Sequence, residues 1–404
     1  MKIQAFSILS ACILGLSSAQ GAVWQEAQKW DANWEQKYSE WIQNSFNEEI
    51  FVSGPYKGIP TDCADAVYTA RLIFSYENKL PFLIRDSTGG SNRISQKMSR
   101  FDSISDPLQR VRKFIEYVND VTSTKTLPED TYPVTINRTQ VRAGTIWARP
   151  RVTRDHIVER IIHGGVKDDP GHAEVVKEVS DTGAIDLIGS TVPKAVRQLS
   201  TTSSLVFMPV ETSTGLRNWM LPEYYDRSRS SLPGYSLEQF KELGKGRMGH
   251  RRLSRWADEV QSRLALRTES REESIARHVQ NVCRLVNSRV DVIARSEAQR
   301  RKLGGRCMDE SDYDSYSTPS RDKRIKATLK QVTESAEARG LTTAQKAKKL
   351  KGYFDQCPDI QIAPGRKISL YDFALKLLKN DVSSDPNDSF EARWGLDGPK
   401  THCR

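Results

Sequence analysis

The sequence predicts an α+β fold followed by a mostly α-helical second half. Three observations predict it: an apolar-periodic helix that begins at Asp62-Cys63, strand-like segments with tight turns between residues 134 and 221, and nearly continuous helical periodicity beyond residue 234. Helices and strands that occupy separate stretches of a chain are typical of α+β domains.

The first 22 residues have the pattern of a secretory signal peptide. Lys2 supplies the basic start, residues 3–16 are mostly apolar, and residues 17–19 are small enough for cleavage. Residues 9–12 resemble a lipoprotein box, but the apolar stretch continues past Cys12, so lipid anchoring at Cys12 is the less favoured alternative. We therefore expect an exported protein, periplasmic or extracellular in a bacterium, with no transmembrane segment.

Residues 23–50 are predicted to form a helix rich in tryptophan. Trp30, Trp34 and Trp41 are spaced by four and seven residues, so they share one helical face and predict a brace packed on the next domain. That domain, the candidate catalytic domain, is placed at residues 51–226 and ends at a Ser/Arg/Pro/Gly linker.

The candidate catalytic domain is predicted to begin with helices and end with strands. A helix starts at Cys63, and a second one starts at Asp106-Pro107. Strands are predicted at residues 141–147, 171–179 and 184–190, with a hairpin turn at Asp181-Thr182-Gly183 between the last two, and a further hairpin is predicted over residues 205–221.

Residues 235–404 are predicted to form a helical, basic C-terminal domain with disulfides. Ser270-Arg271-Glu272-Glu273 is a capping box that opens one of its helices. In an exported chain, its four cysteines are expected to form two disulfides, and the sequence leaves three pairings open: Cys283, Cys307, Cys357 and Cys403. Cys63 is left over and is predicted to be unpaired.

Positive charge is concentrated in one segment. The chain has a formal charge of +10, and residues 245–306 carry 16 Lys/Arg against seven Asp/Glu. This segment is either a solvated helix face or a surface for peptidoglycan or another anionic envelope polymer. Nucleic acid is not an expected partner, because the chain is exported and contains no recognisable nucleic-acid motif. The oligomeric state does not follow from the sequence.

Cys63 is the predicted nucleophile. A thiol on the first turn of a helix lies in the field of the helix N-terminus, which is expected to lower its pKa toward a reactive thiolate. His172 begins a predicted strand and is the predicted general base. Asp186 on the next strand is the preferred orienting group for the imidazole, and Ser190 is the second choice.

Neither a metal nor a cofactor is expected. His156, His163 and His172, with the acidic pair Asp168-Asp169, are not spaced like a helical or zinc-finger metal site.

The order of these motifs resembles papain-like cell-wall hydrolases. Asp62-Cys63 at a helix start, Gly144 in a strand entry and Gly171-His172 on a later strand follow the pattern of the NlpC-type peptidases and the CHAP amidohydrolases over residues 50–220. The resemblance implies a papain-like domain and a Cys-His-Asp amidase or endopeptidase that cuts peptidoglycan stem peptides or similar amide bonds. It also implies that Tyr56 helps to stabilise the oxyanion.

Two other functions remain open at this point. A transglutaminase-like acyl transferase uses the same pair of groups but passes the acyl group to an amine. In the other, the protein is a non-catalytic wall- or envelope-associated scaffold whose papain-like domain does not catalyse a reaction.

Overall fold

A computed structural model of the chain describes residues 21–86, 92–149, 171–203, 209, 212–241, 250–336, 343–401 and 403. Most of the predicted signal peptide, including Cys12, lies outside these residues, as do His156, His163 and Asp168-Asp169. In the described part of the chain, no helix is both long enough and apolar enough to cross a bilayer.

The structure combines short antiparallel strands with helices of very different lengths. The helices are α1 (Ala32–Asn44), α2 (Cys63–Glu77), α3 (Pro107–Val121), α4 (Leu127–Asp130), α5 (Glu238–Lys241), α6 (His250–Leu264), α7 (Arg271–Leu303), α8 (Glu310–Tyr316), α9 (Pro319–Ser335), α10 (Thr343–Phe354), α11 (Leu370–Leu378) and α12 (Phe390–Arg393). The strands are β1 (Leu83–Arg85), β2 (Arg93–Ser95), β3 (Thr131–Pro133), β4 (Ile146–Arg149), β5 (His172–Val179), β6 (Ile185–Gly189), β7 (Ser200–Thr202), β8 (Gly215–Trp219), β9 (Ile360–Ala363) and β10 (Arg366–Ile368).

Six of the strands form one antiparallel sheet in the order β3-β8-β4-β5-β6-β7. The β5–β6 hairpin turns at residues 180–184, where the amide of Gly183 donates to the carbonyl of Ser180. Gly183 has a φ of 77°, which favours glycine at this turn. The predicted α+β class and the β5–β6 hairpin are confirmed. The predicted strand at residues 205–210 lies almost wholly outside the described residues.

Both faces of the sheet are covered by helices. One face carries Ala173 and Val175 and packs in a buried apolar cluster with Ala66 and Val67 of α2. The other face packs against α6, whose Trp256 ring lies 5.5 Å from the ring of Trp147 on β4, centroid to centroid. We therefore group α6 with the sheet, although the sequence assigned it to the C-terminal domain.

The tryptophan-rich segment is helical only over α1. Trp24 and Trp30 precede the helix, and their indole N–H groups donate to the carbonyls of Leu80 (2.9 Å) and Pro81 (2.7 Å). The guanidinium of Arg71 on α2 lies 3.5 Å from the centre of the Trp30 ring. These contacts are those of a structural brace, and α1 also reaches the sheet, where the ammonium group of Lys177 on β5 donates to the carbonyl of Ile42 at 2.7 Å.

A separate apolar cluster, formed by residues between Ile275 and Trp394, holds a second, helical body together. Its two disulfides are Cys283–Cys357 and Cys307–Cys403, which resolves the three pairings left open by the sequence. Cys63 is free.

Much of the charge of residues 245–306 is used inside the molecule. Seven arginines of the segment form ion pairs with acidic side chains: Arg255, Arg263, Arg267, Arg277, Arg289, Arg295 and Arg300. Arg289 is completely buried, and its Nε lies 2.7 Å from Asp322 of α9. Five of these seven pairs use acidic residues of the same segment, so only Arg263 and Arg289, which pair with Glu238 and Asp322, take up part of its excess positive charge.

Candidate active site

Cys63 is held at the first position of α2 by a reciprocal cap. The carboxylate of Asp62 accepts from the amide of Asp65, and the carboxylate of Asp65 accepts from the amide of Asp62, both at 3.0 Å. Thr61 is bridged to Ala195 by two backbone hydrogen bonds. The start of α2 is therefore fixed both by its own side chains and by the loop that follows β6.

The thiol of Cys63 lies against the beginning of β5. Its Sγ donates to the carbonyl of Gly171 at 3.7 Å, across 108 residues of sequence. The amide of Ala173, on the other side of His172, also hydrogen-bonds the sulfur. The fold therefore brings the predicted nucleophile to the main chain on both sides of the predicted base.

His172 is paired with a carboxylate on its own strand. Nε2 of His172 lies 3.5 Å from Oε2 of Glu174, and the two side chains are 13% and 3% exposed. Residues two apart on a strand share a face, so His172 and Glu174 lie on the face of β5 opposite Ala173, which packs toward α2. In the described part of the chain, no hydrogen bond joins the imidazole to the Cys63 thiol.

The charges of this pair follow from burial and from nearby arginines. Burial lowers the pKa of His172 below its ordinary value, and this outweighs the carboxylate of Glu174. Burial alone would raise the pKa of Glu174, but Arg324, with smaller contributions from His172 and Arg149, lowers it to about 2. At neutral pH we therefore assign a neutral imidazole beside an ionised carboxylate.

The thiol of Cys63 is protonated in this conformation, contrary to the sequence-based prediction. Burial, followed by the charge of Asp62, raises its pKa to about 12, against the smaller opposing effects of the Ala173 and Ala64 amides and of Arg149. Cys63 is only 5% exposed, so desolvation of the thiolate outweighs its favourable place at the helix N-terminus.

Cys63, His172 and Glu174 line one cavity of ≈ 80 Å³ between the sheet and the helical body. Arg149 of β4 and Ser190, after β6, belong to the sheet side. The wall from the helical body is formed by residues of α7, α8, α9 and the segment between α8 and α9: Leu285, Ser288, Asp314, Ser317, Pro319, Arg321 and Arg324.

Asp186 does not reach His172. The register of the hairpin places Asp186 opposite Glu178, and its carboxylate accepts a hydrogen bond from Ser203. Glu178 is six residues along β5 from His172, which corresponds to about 20 Å. The carboxylate that contacts the imidazole is Glu174, so the prediction for Asp186 is corrected. Period-2 alternation in Gly171-His172-Ala173-Glu174 was the signal that could have identified it.

Ser190 lies in the cavity but serves the cap of α2. Its hydroxyl donates to the carbonyl of Thr61 at 3.0 Å, and the residue is 3% exposed. It therefore fixes the segment before Cys63, and this hydrogen bond gives it no role in orienting His172.

Tyr56 is far from the thiol. Its hydroxyl donates to Glu77 at 2.9 Å. Glu77 is the last residue of α2 and Cys63 is the first, so the two ends are about 21 Å apart. The predicted oxyanion role of Tyr56 is therefore not supported by its position, and the hydroxyl instead ties a loop to the far end of α2.

The arginines of the cavity were not identified from the sequence. Arg149 is the cross-strand partner of His172. Arg321 and Arg324 come from a helix about 150 residues downstream, and a single sequence contains no signal for such a contact. Within the described residues, no cluster of three or more His, Cys, Asp or Glu side chains is placed to hold a metal ion.

Searches with protein-family models, among curated proteins and among solved structures find no match to this chain. The site must therefore be interpreted from its own geometry.

Proposed function

We propose that the protein is an exported cysteine hydrolase of amide bonds, built on a papain-like arrangement, with Cys63 as nucleophile and His172 as general base. The observation that carries the proposal is the cavity shared by a helix-start thiol, an imidazole and a carboxylate, formed by parts of the chain more than 100 residues apart. Glu174 takes the orienting role in this proposal.

The order of proton transfers follows from the two pKa values. The thiol holds its proton at rest because its pKa lies far above that of the imidazole. Sγ therefore attacks the carbonyl carbon as its proton passes to His172, which first turns its ring toward the sulfur. His172 then gives the proton to the leaving amine, and water releases the acyl group from Sγ.

The first turn of α2 can stabilise the tetrahedral intermediate. Backbone N–H groups at a helix start point out of the helix, and the Cys63 amide belongs to this set. Such a donor lowers the barrier by about 3 kcal/mol in enzymes that use one. A stem peptide of peptidoglycan is the proposed substrate because the two disulfides and the signal-like start are compatible with an envelope protein.

A non-catalytic role is favoured by one observation. The thiol is 5% exposed and its pKa is raised to about 12, as expected of a cysteine that only fills a core position. Fast iodoacetamide labelling of Cys63 alone at about pH 6 would favour the hydrolase, because it requires an accessible, activated thiol. Slow labelling fits both functions, because the proposed mechanism also starts from a protonated thiol, and the activity of Cys63→Ala then decides between them.

The direct test is Cys63→Ala in a peptidoglycan-degradation assay. We expect loss of activity with the fold retained, since the substitution removes the nucleophile at the cost of one buried sulfur. Addition of a free amine to the wild-type reaction then distinguishes hydrolysis from acyl transfer by the products formed.

Two histidine variants provide a matched pair. His172→Asn is expected to abolish activity, whereas His278→Asn should retain it. His278 is also buried, 8% exposed, and burial lowers its pKa to about 4, but it lies in the helical body and outside the cavity of Cys63. Full activity of either Cys63→Ala or His172→Asn would exclude the proposed mechanism.

A further inference from the structure

Two arginines of α9 extend into the wall of the cavity that contains Cys63. Arg321 and Arg324 are three residues apart and therefore lie on the same side of the helix. The side chain of Arg324 is 11% exposed, and Arg149 completes the basic lining from the sheet side.

Arg321 has only neutral acceptors. Its guanidinium donates to the hydroxyl of Thr191 at 2.6 Å and to the carbonyls of Val192 (2.8 Å) and Ser317 (3.2 Å). None of the ion pairs in the described part of the chain includes it. Burial and the positive charge of Arg197 lower its pKa to about 10, against the opposing effect of the nearby carboxylate of Asp322. Asp322 forms its ion pair with Arg289.

Arg324 is only partly satisfied. Its Nη2 lies 3.4 Å from both the carboxylate of Glu174 and the hydroxyl of Thr202, which are long contacts for a charged donor. Its Nε is buried and has no hydrogen-bond partner within the described residues. A buried guanidinium N–H without an acceptor costs free energy.

The part of the cavity wall that the structure describes is rich in arginine. Arg149, Arg321 and Arg324 line it together with the carboxylates of Glu174 and Asp314. Arg149 and Asp314 have partners of their own, so Arg321 and Arg324 are the groups that remain to meet an anion. A buried guanidinium is more stable when a counter-charge accompanies it.

We infer that Arg321 and Arg324 bind an anionic group, a carboxylate or a phosphate, next to the Cys63 thiol. This inference rests on the proposed function in one respect: it assigns the acyl donor a negative charge close to the bond that is cut. The binding of the anion itself does not depend on catalysis.

The basic lining continues beyond the cavity. A neighbouring cavity of ≈ 320 Å³ shares Ser190, Thr191, Ser200 and Ser288 with the first one, and its further lining includes Arg197, Arg284 and Arg295. Arg197 is 7% exposed, and its Nε has no hydrogen-bond partner among the described residues. The two cavities together can accommodate a ligand longer than a single anion.

The test compares a charged and a neutral alkylating reagent on the intact, disulfide-bonded protein. The rate of modification of Cys63 by iodoacetate and by iodoacetamide is measured by mass spectrometry. A bound carboxylate brings iodoacetate to the thiol, so the ratio of the iodoacetate rate to the iodoacetamide rate, divided by the same ratio for free cysteine, should exceed one. A change in the thiol pKa affects both reagents alike and cancels in the ratio.

The double variant Arg321→Gln/Arg324→Gln should lower this ratio by at least about 10-fold, since two charge-assisted hydrogen bonds to the anion are lost. Lys330→Gln is the control, because it removes one positive charge from the same helix at a side chain that is 60% exposed. Inorganic phosphate and acetate are then added as competitors, and the one that slows iodoacetate at the lower concentration identifies the preferred anion.

A ratio below one that the double variant leaves unchanged would overturn the inference. An iodoacetate rate that neither phosphate nor acetate lowers would overturn it as well, because neither anion then competes for the site. A ratio above one in a protein without hydrolase activity would leave anion binding established and the proposed reaction refuted.

Discussion

Burial and the position at a helix start shift the pKa of the Cys63 thiol in opposite directions. The first turn of α2 provides N–H groups that favour a thiolate, but the cavity removes the water that a thiolate needs. The pKa of about 12 shows that desolvation wins in this conformation. A substrate carbonyl that enters the cavity can accept the sulfur as the proton leaves, so a free thiolate is not required.

Glu174 is the residue whose replacement best tests the geometry of the site. In Glu174→Gln we expect kcat/KM to fall by about 10²-fold or more, because the imidazole loses its orienting carboxylate. The negative charge of Glu174 also raises the pKa of His172. Its removal should therefore move the acid limb of the pH–activity profile to lower pH, an effect that simple loss of stability does not produce.

Asp186→Asn is the matched control for Glu174→Gln. Both changes neutralise one carboxylate of the β5–β6 hairpin, but Asp186 lies about 20 Å from His172. We expect its pH–activity profile to coincide with that of the wild type. A shifted acid limb in Asp186→Asn alone would reverse the assignment of the orienting residue.

At the level of residues, the sequence singled out two residues that share a cavity, Cys63 and His172, but misjudged their partners. Capping residues and a strand start are local signals, and they drew attention to these two positions. Glu174 could have been identified by the same reasoning, since it follows His172 by two residues on one strand. The raised pKa of Cys63 could not be predicted, because the burial of the thiol depends on helices that pack on the site from the distant C-terminal half.

The cap of α2 links helix stability to the reactivity of Cys63. Asp62→Ala should lower the free energy of unfolding by about 1 kcal/mol, because it removes the reciprocal cap. Asp62 also raises the pKa of the thiol, so the variant should react faster with iodoacetamide at neutral pH. Chemical denaturation and mass spectrometry measure the two effects.

Asp31→Ala separates these effects. Asp31 caps α1 by accepting from the amide of Trp34 at 2.8 Å, and its loss should cost a similar free energy of unfolding. It makes no contribution to the Cys63 pKa, so labelling should stay at the wild-type rate. Equal acceleration in both variants would mean that a loosened fold, and not the charge of Asp62, controls the thiol.

Asp130 joins several elements through one buried carboxylate. It accepts from the hydroxyls of Tyr68 (2.8 Å) and Tyr225 (3.0 Å) and from the amide of Arg85 (2.7 Å). Burial raises its pKa to about 6, against these hydrogen bonds. Between the unfolded value of 3.8 and about 6, the folded chain therefore holds a proton that the unfolded chain has lost.

This raised pKa predicts a pH dependence of stability. The contribution of Asp130 to the free energy of unfolding should increase as pH falls from about 7 to about 4, by about 3 kcal/mol. Urea unfolding of Asp130→Asn should lack this increase. Asp226→Asn, in which the side chain is 81% exposed, should follow the wild type. Parallel curves for wild type and Asp130→Asn would contradict the raised pKa.

At the level of elements, local sequence signals predicted helix starts and turns correctly, but the register between neighbouring strands was predicted wrongly. Asp106 before α3 and Pro107 at its first position, the capping box of α7 and the glycine turn of the β5–β6 hairpin all lie where the sequence placed them. The register was misjudged because Asp186 follows the turn closely, whereas His172 is at the open end of the hairpin. Residues that pair across a hairpin lie at similar distances from its turn, so this error was avoidable.

At the scale of the whole molecule, the cavity depends on two bodies that the sequence treated as independent. The sheet supplies His172 and Glu174, α2 supplies Cys63, and α7 and α9 close the space from the other side. The sequence predicted a helical C-terminal domain, but helical periodicity shows only which face is apolar. It does not show which neighbour that face meets, so the contribution of Arg321 and Arg324 could not be foreseen.

Removal of the disulfide Cys283–Cys357 tests whether the cavity depends on both the sheet and the helical body. This disulfide closes 74 residues of chain, and Cys283 is two residues from Leu285 in the cavity wall. Loss of such a crosslink lowers the free energy of unfolding by about 4 kcal/mol in the chain-entropy description. In Cys283→Ala/Cys357→Ala, we expect hydrogen exchange to accelerate in α7, α9 and α11 and to stay slow in β5 and β6.

The same variant should expose the thiol. If α7 and α9 restrict access to Cys63, loosening them should speed its modification by iodoacetamide while the sheet remains folded. The slow exchange of β5 serves as the internal control, because global unfolding would accelerate both bodies together. Faster exchange in α7 with an unchanged labelling rate would show that the helical body does not control access to Cys63, and that the small space around the sulfur is set by the sheet and α2 alone.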